Sequence, residues 1–382
     1  MPLKHHTTYR AARAVAKTVE GHFVRHLAAS RQDNEEEMAP EPDAKVIEVL
    51  IDTAFWASLR REEGHSPKIS LAFLPPELAG QPLLLEHRLP LNPSVLVKLA
   101  PAVERPGIHL GVWQYEDELY VWGATREIPS LCLVLDVSEP GLLVIKYRRT
   151  GGLGKFANIA VLKGDQVKVL EEQTIFLQHS PPLLSTLLGF SSPSPWGDSV
   201  NVLVQLAVSM RAHKRGGTLL VVPAGTQAWR KSIIHPILYS VAPAFSRLSD
   251  LMQQNEKERS RSKWQSALNR AVEGIAGVTA VDGATVISDQ YELLAFGSKI
   301  GRVQGGTPVE KVVVTEPVVG SSPTVVAPSQ SGGTRHLSAA QFVHDQHDAF
   351  ALVASQDGGF TIFAWSPHDQ LVHAHRIDTL LL

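Results

Sequence analysis

Apolar and small residues recur at Ala12, Val15, Val19, Phe23 and Leu27 with basic side chains between them, so Thr7 to Arg31 reads as an amphipathic helix, a packing or oligomerising arm. The run QDNEEEMAPEPD that follows holds three consecutive glutamates and two prolines and has nothing to bury, which makes it a linker. Helical spacing returns at Val46, Val49, Leu50, Ala54, Phe55 and Leu59 and stops at Glu63-Gly64. Beyond this point the runs shorten to strand length: Ile69 to Leu74, Leu83 to Leu85, Val95 to Leu99, Leu110 to Trp113, Leu119 to Trp122, Cys132 to Val137, Leu142 to Tyr147, Ala157 to Leu162 and Gln166 to Leu170. Gly, Pro, Asp or Glu fill nearly every gap, the pattern of a β-rich module built largely from antiparallel hairpins. Trp113, Tyr115, Tyr120 and Trp122 alternate across the hairpin GVWQYEDELYVWG, where cross-strand packing is the common use of such pairs and a cofactor cage the rarer one.

After Ser180-Pro181-Pro182 helices and strands alternate. Val200 to Ala212 has the helix period and Thr218 to Val222 is an apolar strand. Helices are expected over Trp229 to Leu248 and Leu251 to Ile275, and strands over Val278 to Val281, Ala284 to Ser288 and Leu293 to Phe296. Residues 301–330, rich in Gly, Pro, Ser and Val, form a long excursion or an edge hairpin. Ser338 to His347 reads as a helix, and Phe350 to Ser355 with Thr361 to Trp365 as a closing hairpin. The expected division is a helical arm over 1–31, an acidic linker over 32–43, an α+β sensor-like domain over 44–184, an α/β domain over 185–366 and a tail over 367–382. No repeat is visible.

Composition adds boundaries rather than direction. The 382 residues are 44% hydrophobic and 19% charged, which excludes whole-chain disorder. A net charge of -2 leaves no broad field for a nucleic-acid backbone, so no nucleic-acid partner is expected. The single cysteine, Cys132, lies in an apolar run and reads as a small buried hydrophobe. No stretch reaches the roughly 18 apolar residues of a membrane span. The N-terminus lacks the apolar core and cleavage site of a secretory signal, so a cytoplasmic protein without membrane association is expected.

Two segments carry candidate chemistry. In Ser331-Gly332-Gly333-Thr334-Arg335-His336, glycines admit close backbone approach, amides at a helix start favour anions, and Thr, Arg and His add donors. The composition suits a phosphate grip, or a glycine turn with a helix cap. In Val281-Asp282-Gly283-Ala284 a carboxylate sits between strand-like runs, placed to hold Mg²⁺ or Mn²⁺ against a triphosphate or to make an Asp-Gly turn. Lesser candidates are His344 and His347 with Asp345 and Asp348 as a metal site, solvated His368, His373 and His375 in the tail, and the basic run Lys257 to Lys263 as an exposed helix face. Thr150-Gly151-Gly152-Leu153-Gly154-Lys155 lacks the Ser or Thr of a P-loop and reads as a turn.

Asp282-Gly283-Ala284, then Gly333-Thr334-Arg335-His336-Leu337-Ser338-Ala339, then Val353-Ala354-Ser355-Gln356, in that order, resemble the diadenylate cyclases related to the DNA-integrity scanning protein, and Gly216 to Val222 looks like that family's first core strand. The likeness covers about Ser192 to Ser366. The preceding domain resembles, in layout and in segments such as AFWASLRREEG, the DACNV kind of sensor module found before such cyclases in some bacterial proteins. The resemblance implies an α+β sensor module followed by an α/β mixed-sheet cyclase domain that condenses two ATP to cyclic di-AMP and two pyrophosphates. It implies a catalytic set of Asp282, Arg335 and His336, with Asp282 holding Mg²⁺ or Mn²⁺. Gly283, Ala284, Gly332, Gly333, Thr334, Ser338 and Ser355 would line the nucleotide, and facing protomers of a homodimer or larger homo-oligomer would each hold one ATP. Leu337 stands where the family has a second arginine. That departure opens the alternative of a non-enzymatic sensor binding ATP or a cyclic dinucleotide.

Overall fold

The computed structural model describes residues 7–30, 38–148, 156–170, 202–259 and 262–381. They divide into two units, one from the described residues up to 170 and the other from those beyond 202. Both are mixed: the described strands form an eight-stranded sheet in the first and a nine-stranded sheet in the second. The segment Thr150 to Lys155, the boundary near residue 184 and the first half of the acidic linker lie outside the described residues.

The first unit contains α1 (Arg10–Ser30), α2 (Ala44–Ser58), β1 (Ile69–Phe73), β2 (Leu83–Pro90), α3 (Pro93–Val103), β3 (His109–Tyr115), β4 (Glu118–Thr125), β5 (Leu133–Glu139), β6 (Leu142–Arg148), β7 (Phe156–Lys163) and β8 (Gln166–Val169). The sheet order is β2-β4-β3-β1-β5-β6-β7-β8, antiparallel except for the β1–β3 pair. One face buries Leu71, Val112, Leu135 and Ile145 against Phe23, Ile47, Leu50 and Leu96 of the helices. The amphipathic helix α1 is thus part of this core. Asp43 starts α2 by accepting a hydrogen bond from Val46 N at 2.7 Å. Part of the expected linker also packs, since Ala39 is buried and its amide donates to Ser130 O. Residues 95–99, expected as a strand, lie in α3. Asn92 caps it by accepting from Val95 N at 2.9 Å, and Pro93 opens it where a missing N–H costs nothing.

The second unit holds α4 (Val202–Ala212), β9 (Gly217–Val222), β10 (Tyr239–Phe245), α5 (Arg247–Met252), α6 (Glu256–Arg259), α7 (Ser262–Val278), β11 (Ala284–Ser288), β12 (Leu293–Ser298), β13 (Val312–Thr315), β14 (Thr324–Val326), α8 (Pro328–Ser331), α9 (Thr334–Asp345), β15 (Phe350–Ala354), β16 (Phe360–Ser366) and β17 (Leu371–Arg376). Its order is β10-β12-β11-β9-β15-β16-β17-β13-β14, with β9–β11 and β13–β17 parallel. Leu219, Val221 and Leu352 face Leu206, Met210 and Leu268 of α4 and α7. Leu220, Val286 and Val353 face Ala340, Phe342 and Val343 of α9. Three layers result, with every strand of the β11-β9-β15 centre covered on both sides.

Four expectations change here: Leu251 to Ile275 is split between α5, α6 and α7 rather than one helix, Val278 to Val281 is the end of α7 and a turn rather than a strand, and two further segments differ. The expected helix over 229–248 is a short 3-10 turn followed by β10, because Pro236 and Pro243 remove the donors a helix needs. The expected tail contributes β17, so His373 and His375 are buried rather than solvated. No helix among the described residues is long and apolar enough to cross a membrane.

Candidate functional site

The parallel β9–β11 pair sets the register Ala284↔Thr218, and β15, β16 and β17 extend that row through Val353, Thr361 and Arg376. Asp282 lies two residues before Ala284, and Gly216 two before Thr218. The two positions therefore sit at the same end of neighbouring strands, which run about 4.8 Å apart. Asp282 is exposed and makes no hydrogen bond or ion pair among the described residues. Gly283 has φ +107°, and a Cβ there would come 2.5 Å from Gly297 C, so only glycine lets the chain pass between Asp282 and the buried Ala284.

The segment 332–336 reaches the same end from the helix layer. An ideal Cβ on Gly216 would lie 3.0 Å from Arg335 Nη1 and 3.2 Å from Ala354 O, which places the guanidinium over the start of β9. His336 is buried, shares a 3.3 Å hydrogen bond between its Nε2 and Thr361 Oγ1, and meets the edge of Phe363. Gly332 makes room for it, because a Cβ would stand 2.5 Å from His336 Cγ. Burial, with the guanidiniums of Arg376 and Arg335 and against Asp357, holds the His336 imidazole below its ordinary range, so it is neutral near pH 7. Gly333 caps α9 without a side-chain bond, leaving first-turn amides open to an anion. Gly332, Gly333, Thr334 and Arg335 are exposed and Ser338 is half-buried. Ser355 lies in the β15–β16 turn, where its amide and hydroxyl both meet Gly359 O.

The expected residues thus gather at one sheet end, Ser355 among them by the Ala354↔Gly217 register, although its hydroxyl is used within its turn. Arg376 and Thr361 were not singled out in the sequence as site residues, and Gly216 only as the start of a core strand. Other candidates take structural roles. His347 stacks on Trp365 at 3.8 Å, and Asp345 accepts from Val303 N and Gln341 Nε2. Among the described residues no group of three potential metal ligands gathers. Cys132 is buried, which pushes its thiol up and leaves it inert. Tyr115 and Tyr120 pack edge to face at 6.5 Å, as cross-strand neighbours.

The first unit carries a polar row of its own on the sheet face away from the helices. Ser70 Oγ donates to Asp136 Oδ1 at 2.5 Å and lies 2.7 Å from His109 Nδ1. The hydroxyl has one hydrogen, so His109 Nδ1–H is the donor to it. Lys146 pairs with Asp136 and sits over the Phe156 ring. Burial, opposed by Asp136 and reinforced by Lys146, pushes His109 down to about 4. The signal in the sequence is a polar residue within or at the end of each of four largely apolar strands.

Compared with known families, residues 36–126 match the probable sensor domain DACNV. The match takes in Ser70 and His109 and stops before Asp136 and Lys146. No diadenylate cyclase catalytic family is detected in the chain. Among curated proteins nothing matches.

Proposed function

We propose that the chain is a sensor protein whose second unit binds ATP and condenses two ATP molecules to cyclic di-AMP. Its support is one observation: the β9–β11 register and the seat of Arg335 over Gly216 bring Asp282 and the loop 332–336 to one sheet end. In this reading the loop amides, Thr334 and Arg335 hold phosphates, and His336, neutral and fixed by Thr361, positions a phosphate oxygen. The ribose 3′-hydroxyl of each ATP in turn gives up its proton and attacks the α-phosphorus of the other, and a pyrophosphate leaves at each of the two steps. Each protomer of a homodimer presents one ATP, in the cytoplasm where ATP is supplied. Asp282, exposed and unpaired among the described residues, suits a hard Mg²⁺ or Mn²⁺ ion whose remaining ligands come from phosphates and water. Such an ion would neutralise phosphate charge. The DACNV-type module adjusts the activity without supplying a catalytic group.

A second reading is favoured by Leu337, which is 42% exposed where the cyclases carry an arginine. There the site binds a nucleotide and reports it to a partner without turnover. Incubation of the full chain with ATP and Mn²⁺ or Mg²⁺, resolved by product mass, separates the two. A cyclic dinucleotide made by the native chain and lost in Asp282→Asn supports the cyclase. ATP binding without product supports the sensor, and absence of binding overturns both.

A further inference from the structure

We propose that Arg376, from the opposite side of the site, supplies the phosphate-directed cation that position 337 lacks. The inference rests on the nucleotide-binding reading and names the residue that completes it. Arg376 ends β17 in register with Thr361, the partner of His336. Its Nη2 donates to Ser331 O at 3.4 Å, the carbonyl directly ahead of Gly332-Gly333. The guanidinium is half-buried, and among the described residues it has no carboxylate within ion-pair distance. A half-buried guanidinium with five donors and one long bond to a neutral carbonyl has capacity left over, and that capacity adjoins the open amides of α9.

Charge makes the same point. His336 is neutral, so the cations flanking the loop are Arg335 toward β9 and Arg376 toward β17. The nearby acid, Asp357, is engaged by Gly359 N within the β15–β16 turn. Two guanidiniums on either side of a glycine loop, with one acid turned to its own backbone, carry the charge to match a polyphosphate rather than a single carboxylate. Leu337, in the first turn of α9 with its amide on Gly333 O and 42% exposed, adjoins the same loop and brings no charge to it.

The test is ATP and adenosine binding by titration calorimetry on the full chain. The variants are Arg376→Gln, Arg376→Lys, Leu337→Arg and the double variant Arg376→Gln with Leu337→Arg. Gln keeps a donor for Ser331 O while removing the charge. The expected result is an ATP affinity lowered about ten- to hundredfold in Arg376→Gln, as for loss of one charge-assisted phosphate contact. Lys should retain part of it, the double variant should recover it, and adenosine should bind all forms alike. Circular dichroism melting verifies that each variant is folded, and Arg376→Lys decides the matter if Gln does not fold. Native chain that fails to bind ATP brings down the nucleotide reading itself. Native chain that binds ATP, with equal affinity in the folded Arg376 variants or no recovery in the double variant, overturns the assignment of Arg376 alone.

Discussion

His109 bonds Ser70 in the first unit, and His375 bonds Thr315 at 2.8 Å in the second; both are imidazoles kept neutral by their surroundings. Burial takes His109 from 6.5 to about 4, and burial with the neighbouring His373 takes His375 to about 3. Above pH 6.5 neither folded nor unfolded chain binds a proton at these positions, so stability is flat. Below it the unfolded chain gains protons that the folded chain refuses, and stability falls as pH drops toward 4. For His109 the loss is of order 3 kcal/mol across that window. Urea unfolding at a series of pH values checks this, and His109→Gln should flatten the slope. Gly332→Ala is a second residue-scale case: its Cβ would stand 2.5 Å from His336 Cγ. Overpacking of that kind costs about 1–3 kcal/mol, and the expected outcome is a lower melting temperature with a displaced His336 ring resonance. Asp282 and the loop 332–336 were legible because turn composition is local. Arg376 and the row Ser70, His109, Asp136 and Lys146 were not, since lateral neighbours exist only once strand register is set.

At the scale of elements, α1 is held at its start by a residue of α2. Asp52 Oδ1 accepts from Thr8 N at 2.9 Å and Tyr9 N at 2.7 Å, just ahead of the first helical turn. Removing the carboxylate in Asp52→Ala leaves those amides without their acceptor and costs about 1.5–3 kcal/mol. Amide exchange should quicken along α1, and Asp52→Asn should lose less. Most strands of both sheets follow the alternation and turn residues read from the sequence, as do α2, α4 and α9. Two of the misread elements share a cause. Val95 to Leu99 is apolar enough for a strand, but its Asn92-Pro93 start signals a helix. Residues 229–248 have helical spacing, yet Pro236 and Pro243 forbid the helix. In each case a capping or breaking residue outweighed hydrophobic period.

For the whole molecule, each unit buries a core of its own, Leu71 and Leu135 in one, Leu206 and Leu352 in the other. Leu71→Ala should destabilise the first by about 2–5 kcal/mol, while on the proposed nucleotide reading ATP at a hundredfold excess over its dissociation constant should stabilise the second by about 2.7 kcal/mol. Differential scanning calorimetry reads both. The place of β17 in the second sheet, between β16 and β13, has a further bearing on how the protein comes into being. β13 (Val312–Thr315) is synthesised long before β17 (Leu371–Arg376), yet pairs with it in parallel. On a ribosome, the β13–β14 hairpin must therefore wait detached from the rest of the sheet until residues 371–376 have cleared the exit tunnel. A released chain ending at Ser366 would carry Asp282 and the glycine loop without Arg376, so the proposed anion seat is complete only once the last strand has joined the sheet.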